Sequence, residues 1–86
     1  MAYIIKWRPK ALEELRKLPH EEARRIVHRL GLAQENPHHF LERLVGDDGY
    51  KLRVGDYRVI IDIVEEEKVL AIRVLGHRST IYKRHL

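Results

Sequence analysis

The fold of this chain is constrained most by residues 50–63, which read YKLRVGDYRVIIDI. Two runs of alternating residues flank the pair Gly55-Asp56, and this combination predicts a β-hairpin with a two-residue loop. In that register Arg53 lies directly opposite Arg58. Because successive side chains of a strand point to opposite faces, one face of the hairpin is apolar throughout and must pack on a core. That face carries Tyr50, Leu52, Val54, Tyr57, Val59, Ile61 and Ile63.

The second face of the predicted hairpin is basic. It carries Lys51, Arg53 and Arg58, with one acidic residue, Asp62, and one apolar residue, Ile60. Like charges in directly opposed positions destabilise a sheet. The two opposed arginines therefore indicate either side chains that diverge into water or an anion held between them.

A further strand is predicted over residues 69–75, after a loop at residues 65–68. A four-residue loop pairs Val64 with Val69 and adds Arg73 to the basic face. A loop one residue shorter buries Arg73 without a partner, which is costly, so we prefer the first register. The residues of this strand that then face the core are Leu70, Ile72 and Val74.

The first half of the chain predicts one strand and two helices. Residues 2–7 alternate as a strand, residues 10–18 and 20–36 show helical spacing of apolar residues, and prolines end both helices. Residues 37–48 are predicted to be irregular. The helices form a helical hairpin that packs on the apolar face of the later strands. We therefore expect a single α+β domain over residues 1–86, with a largely antiparallel four-stranded sheet.

Composition restricts the partners of such a domain. The chain has 86 residues, no cysteine and a formal net charge of +4, so disulfide and thiol chemistry are excluded and a polyanionic partner is favoured. No segment predicts a membrane span, and no signal-peptide pattern opens the chain. We expect a cytoplasmic protein that does not act at a membrane.

Basic and aromatic residues continue beyond the last strand. Gly76, His77 and Arg78 are predicted to form a turn. His77, Arg78 and the later Tyr82 then reach the rim of the basic face. A solvated basic face is the plain alternative. Four cations on one face of a sheet, joined by these residues, favour a surface that binds phosphate groups.

The order strand, helix, helix and three strands, with YKLRVGDYRVIIDI followed by VLAIRVLGHRSTIY, resembles the RelE/ParE superfamily of toxins. The likeness is greater to the RelE branch. This resemblance implies a RelE-like, microbial-RNase-like fold and a type II toxin that cleaves mRNA on the ribosome. The alternatives are a ParE-type toxin that inhibits DNA gyrase without catalysis, and an inert relative that only pairs with an antitoxin.

The resemblance also implies catalytic residues. RelE-type toxins carry basic residues on the second strand, an Arg after the hairpin Tyr, an Arg after the last strand and a Tyr near the C-terminus. Those positions are filled here by Lys51, Arg53, Arg58, Arg78 and Tyr82. Attack of a ribose 2′-OH on the adjacent phosphodiester needs a base, an acid and cations for the phosphate oxygens. Arg58 and Arg78 suit the phosphate. Lys51 or Arg53 stabilises the same negative charge or acts as the general base. Tyr82 stacks on a nucleobase or orients the 2′-OH.

His77 is either a general acid or base or a plain turn residue, and Arg73, Lys83 and Arg84 are predicted to bind RNA. No cofactor is expected. The adjacent histidines of the chain lack a third ligand, so no metal is expected either. The partners implied by the resemblance are a RelB-like antitoxin, mRNA in the ribosomal A site and ribosomal RNA.

Overall fold

The computed structural model describes residues 2–82 of the chain. Three helices and five strands follow one another in this part. In chain order they are β1 (Ile4–Trp7), α1 (Pro9–Arg16), α2 (His20–Glu35), α3 (Pro37–Phe40), β2 (Glu42–Arg43), β3 (Tyr50–Val54), β4 (Tyr57–Val64) and β5 (Val69–His77). The strands form one sheet in the order β1-β5-β4-β3-β2, in which β1 runs parallel to β5 and the other pairs are antiparallel. The predicted α+β class is confirmed.

The two long helices follow the sequence signals. Pro9 occupies the first turn of α1, where its missing N–H costs no helical hydrogen bond. Glu21 and Glu22 lie in the first turn of α2, where the helix dipole favours negative charge. The apolar stripe of α2 packs on the core, except that Val27 is 52% exposed. None of the helices in residues 2–82 is long and apolar enough to span a membrane.

The central hairpin forms as predicted. Gly55 and Asp56 make the two-residue turn, and Arg53 pairs with Arg58 across the ladder. Gly55 has a φ of 60°, a left-handed conformation that glycine adopts without strain. The apolar face of β3 and β4 joins the main core together with Ile26 and Leu30 of α2. The helices thus cover one face of the sheet and leave the basic face open.

The predicted register of β5 is correct at its start and wrong further on. Val64 pairs with Val69 as expected, but the ladder shifts where Ile61 pairs with Ile72 and Ile60 pairs with Val74. The intervening residue, Arg73, forms a β-bulge, and an extra residue in one strand reverses the alternation beyond it. Val74 was expected in the main core.

The bulge instead builds a second, smaller core on the basic side of the sheet. Leu75 takes the place in the main core that alternation assigned to Val74. Val74 packs in a second cluster with Leu44, Ile60 and Ile81, and Tyr82 lies against it. This second cluster supports the residues that follow β5.

The four-stranded sheet of the sequence prediction is also corrected. Residues 37–48, expected to be irregular, contain α3 and the short strand β2. Glu42 pairs with Lys51 and Arg43 with Tyr50, so β2 adds a fifth strand at the edge of the sheet. A two-residue strand is too short for alternation to reveal it.

Candidate functional site

A cleft of about 460 Å³ opens on the basic side of the sheet, away from the two long helices. We call it the basic cleft. β3, β4, the end of β5 and the turn after it all contribute side chains. Its lining residues are Lys51, Arg53, Arg58, His77, Arg78, Ser79 and Tyr82. All six residues that sequence reasoning proposed as catalytic therefore line one cleft.

The two opposed arginines diverge, although neither is free in the described structure. Arg53 Nε lies 3.3 Å from Glu42 Oε1 on the edge strand β2. Arg58 Nη1 donates hydrogen bonds of 2.9 Å to the carbonyl oxygens of Gly55 and Tyr57. The short edge strand thus supplies the carboxylate that draws Arg53 aside.

Arg78 is tied to the tip of the hairpin. Its backbone N–H donates a 2.8 Å hydrogen bond to the carbonyl of Asp56, and its Nε lies 3.4 Å from Asp56 Oδ1. Both side chains are largely exposed, so the ion pair is weak. The backbone bond holds the turn after β5 beside the hairpin tip. A phosphate can compete for the guanidinium at small cost.

Tyr82 lines the same cleft as these arginines. Lys51 Nζ lies 5.7 Å from the centre of its ring, within the range of a cation–π interaction. The preceding residue, Ile81, is 2% exposed in the second cluster. A methyl group on Gly76 would lie 3.2 Å from Ile81 Cδ1, so the small residue there leaves room for Ile81 to dock. Burial of Ile81 thus fixes where the ring of Tyr82 lies.

His77 was predicted in a turn, but it is the last residue of β5 and is exposed. Its ring makes an edge-to-face contact with the ring of Tyr57, and the two ring centres lie 5.8 Å apart. The backbone N–H of Ser79 donates to His77 Nδ1 at 3.1 Å, and Ser79 Oγ lies 2.8 Å from the same atom. Because a backbone N–H can only donate, Nδ1 is an acceptor and the neutral ring carries its proton on Nε2.

Arg73 lies on the basic side of the sheet but does not line the basic cleft. Its guanidinium bonds Asp62 Oδ1 at 2.5 Å and Asp47 Oδ1 at 3.1 Å. Asp62 and Asp47 hold the pKa of Arg73 above its ordinary value. The Arg73 guanidinium, and next the N–H of Gly49, lower the pKa of Asp47. Arg73 thus has a structural role.

Contact of Arg73 with RNA stays a prediction. The other two residues proposed to bind RNA, Lys83 and Arg84, lie outside the described residues. Within residues 2–82 no group of three His, Cys, Asp or Glu side chains is placed to hold a metal ion.

Sequence reasoning missed three residues that contact side chains of the cleft. Ser79 fixes the tautomer of His77, Glu42 pairs with Arg53, and Asp56 pairs with Arg78. Only the first had a local signal, since serine side chains and N–H groups commonly bond to neighbours two residues away. The carboxylates come from a short edge strand and from the hairpin turn.

Comparison with known proteins shows the family of the chain. Residues 5–82 match the family model described as ParE toxin of type II toxin–antitoxin system, parDE. A putative RelE-like toxin protein of Escherichia coli is 31% identical over 95% of this chain and 92% of its own length.

Solved structures show the same fold. The archaeal RelE–RelB complex from Pyrococcus horikoshii contains a chain with a TM-score of 0.75 and 30% identity, over 93% of this chain and 99% of that one. The intact E. coli RelBE toxin–antitoxin complex gives a TM-score of 0.76 and 28% identity, over 88% of this chain and 96% of that one. Fold and site thus define a small toxin domain with a basic cleft. The chain belongs to the ParE toxin family within the RelE/ParE superfamily, and it is a RelE-like toxin of a toxin–antitoxin system.

Proposed function

We propose that this toxin is a ribosome-dependent mRNA endonuclease that inhibits translation in the cytoplasm. The observation that carries the proposal is the convergence of Arg58, Arg78, Lys51, His77 and Tyr82 on one cleft. Two guanidinium groups suit the oxygens of a phosphodiester, because each presents several N–H donors and keeps its charge. An aromatic ring at the wall suits an unstacked base.

The reaction is an attack of the ribose 2′-oxygen on the adjacent phosphorus. The new P–O2′ bond closes a 2′,3′-cyclic phosphate, while the bond from phosphorus to the 5′-oxygen breaks. A base takes the 2′-OH proton and an acid protonates the leaving 5′-oxygen. Arg58 and Arg78 stabilise the negative charge that develops on the phosphate oxygens.

Of the two candidate bases, Lys51 suits the role better than Arg53. Arginine stays protonated in proteins, and Arg53 is drawn toward Glu42. Lys51 Nζ lies over the ring of Tyr82. A nucleobase stacked on that ring therefore brings its ribose near the Lys51 amine. His77 suits the general acid in its protonated form, which becomes neutral imidazole when Nε2–H is donated to the leaving 5′-oxygen.

We further propose a RelB-like antitoxin as partner. Similar toxins were solved as RelE–RelB complexes. In this chain β1 and β2 form the edges of the sheet, and an apolar groove of about 360 Å³ lies beside β1, with Ile4 and Val27 exposed in it. A sheet edge and an apolar groove suit strand addition and helix docking. If expression of the gene alone is harmless, the antitoxin proposal fails.

Inhibition of DNA gyrase is the second candidate function, and the description of the matching family model favours it. The basic cleft discriminates between the two, because a toxin that only blocks gyrase needs no acid, base and phosphate clamp in one place. The experiment is to add the purified chain to a translating system and to map mRNA ends by primer extension. New ends at defined positions support cleavage, and intact mRNA with inhibited gyrase supports the second candidate.

A further inference from the structure

Two more depressions continue from the basic cleft around the tip of the central hairpin. The first, here named the tip groove, has a volume of about 420 Å³. His77 lines both the basic cleft and the tip groove, so the two adjoin at this residue. The residues that line the tip groove are Pro19, Glu22, Arg25, Gly55, Asp56, Tyr57 and His77.

The second depression, here named the α2 notch, lies on the other side of the hairpin tip and has a volume of about 170 Å³. It is lined by Arg25, His28 and Arg29 of α2 and by Val54 and Gly55 of the hairpin. The tip groove and the α2 notch share Arg25 and Gly55. The three depressions therefore follow one another along the surface.

The spacing of the notch residues concentrates positive charge. Residues three and four apart lie on the same face of a helix, so Arg25, His28 and Arg29 face the hairpin together. Like charges at this spacing destabilise a helix. Arg25 has only a 3.6 Å contact with Glu22 Oε2, and Arg29 has no ion pair among residues 2–82. An anion in the notch relieves the repulsion.

Glycine at position 55 lets Arg25 approach the hairpin closely. A methyl group on Gly55 would lie 3.2 Å from Arg25 Nη2 and 3.3 Å from Nη1. The guanidinium therefore lies against the turn, at the point where the tip groove meets the α2 notch.

We propose that the α2 notch binds a phosphate group of the RNA strand that occupies the basic cleft. This inference rests on the proposed function. The strand leaves the cut phosphodiester in the basic cleft, passes His77 and the hairpin tip, and places a flanking phosphate between Arg25 and Arg29. The notch contributes affinity and register, and it takes no part in bond cleavage.

The test measures binding of 2′-O-methyl RNA, which has no free 2′-OH and cannot be cleaved. A trinucleotide fills the basic cleft alone, and an oligonucleotide of about twelve nucleotides also reaches the notch. Fluorescence anisotropy over a range of salt concentrations gives the slope of log K against log salt. This slope changes by about 0.7 for each phosphate contact with a single strand.

The variant Arg25→Gln/Arg29→Gln should lower the magnitude of that slope by about 0.7 for the long probe, which loses one phosphate contact, and leave the slope for the trinucleotide unchanged. Arg25→Lys/Arg29→Lys, which keeps both charges, should restore the slope. The matched control is the double variant Arg16→Gln/Lys17→Gln. It removes two charges from α1 and should leave the slope for both probes unchanged.

Equal slopes for the notch variant and the α1 control overturn the inference. Failure of the proposed function gives a different result from failure of this inference, because the proposed function depends on the basic cleft and the inference on the α2 notch. The variant Arg58→Gln/Arg78→Gln should weaken the binding of both probes. If this cleft variant binds both probes as tightly as the unmodified chain does, the proposed function fails and the inference fails with it.

Discussion

Arg53 and Arg58 occupy directly opposed positions on β3 and β4, and their guanidinium groups bond in different directions. Arg53 reaches Glu42 on the edge strand, whereas Arg58 bonds the carbonyls of its own turn. The sheet thus tolerates a like-charged pair by splaying it. The space between them belongs to the basic cleft.

This arrangement predicts that a multivalent anion stabilises the fold. Pyrophosphate should raise the thermal unfolding midpoint more than sodium chloride does at the same ionic strength, because a ligand that binds only the folded state stabilises it. Arg58→Gln/Arg78→Gln should lose most of this increase. Differential scanning fluorimetry measures it. An equal shift in the variant and in the unmodified chain contradicts an anion site in the cleft.

Substitutions of Tyr82 separate its ring from its hydroxyl. Because the ring contacts Lys51, we expect stacking to be its main role. Tyr82→Phe should keep most of the cleavage activity, and Tyr82→Ala should lose about 1–3 kcal/mol of RNA binding. Steady-state kinetics should show the loss in KM. If Tyr82→Phe is as impaired as Tyr82→Ala, the hydroxyl orients the nucleophile instead.

His77→Gln tests the general acid. Removal of a positioned acid should lower the cleavage rate by about 10²–10⁴-fold. His20→Gln, at the first residue of α2, is the control and should cleave normally. The measurement is the rate of mRNA cleavage on ribosomes. An unchanged rate in His77→Gln makes this residue a simple strand end.

The ion pairs of Arg73 predict an acid-sensitive fold. Because Arg73 and the Gly49 N–H lower the pKa of Asp47, this carboxylate stabilises the fold above its ordinary pKa. That contribution is lost as pH falls below about 4 and through the depressed pKa. Asp47→Asn should therefore be less stable at neutral pH and should lose less stability on acidification.

Urea unfolding at about pH 7 and about pH 3 measures both effects. Asp48→Asn is a suitable control, because Asp48 is exposed and has no ion pair among residues 2–82. An equal dependence on pH in Asp47→Asn and in the unmodified chain contradicts the role given to this carboxylate.

Local rules predicted the hairpin well. A Gly-led pair between alternating runs defined both the loop and the face of each residue, and so placed Lys51, Arg53 and Arg58 together. Arg78 and Tyr82 were expected at the rim of the basic face, and the RelE resemblance implied catalytic roles for them. The structure places both in the same cleft.

The remaining features depend on contacts between distant residues. The bulge at Arg73 forms where its guanidinium meets Asp47 and Asp62, and alternation along β5 cannot anticipate it. The α2 notch likewise requires the packing of Arg25 against Gly55, thirty positions away along the sequence.

Cleavage by arginine variants tests whether the basic cleft carries out the phosphate chemistry. Arg58→Ala, Arg78→Ala and the control Arg16→Ala are added separately to a translating system, and mRNA ends are mapped by primer extension. Arg16 and Arg78 are exposed and Arg58 is half-buried, so removal of these side chains leaves the main core intact. Loss of a group that stabilises developing charge costs roughly 10²–10³ in rate at comparable sites.

We expect the cleavage rate of Arg58→Ala and of Arg78→Ala to fall by that factor, while Arg16→Ala cleaves at the rate of the unmodified chain. Far-ultraviolet circular dichroism should show the same fold in all three. If both Arg58→Ala and Arg78→Ala cleave at the unmodified rate, the proposed role of the basic cleft is contradicted, since phosphate chemistry then takes place outside it.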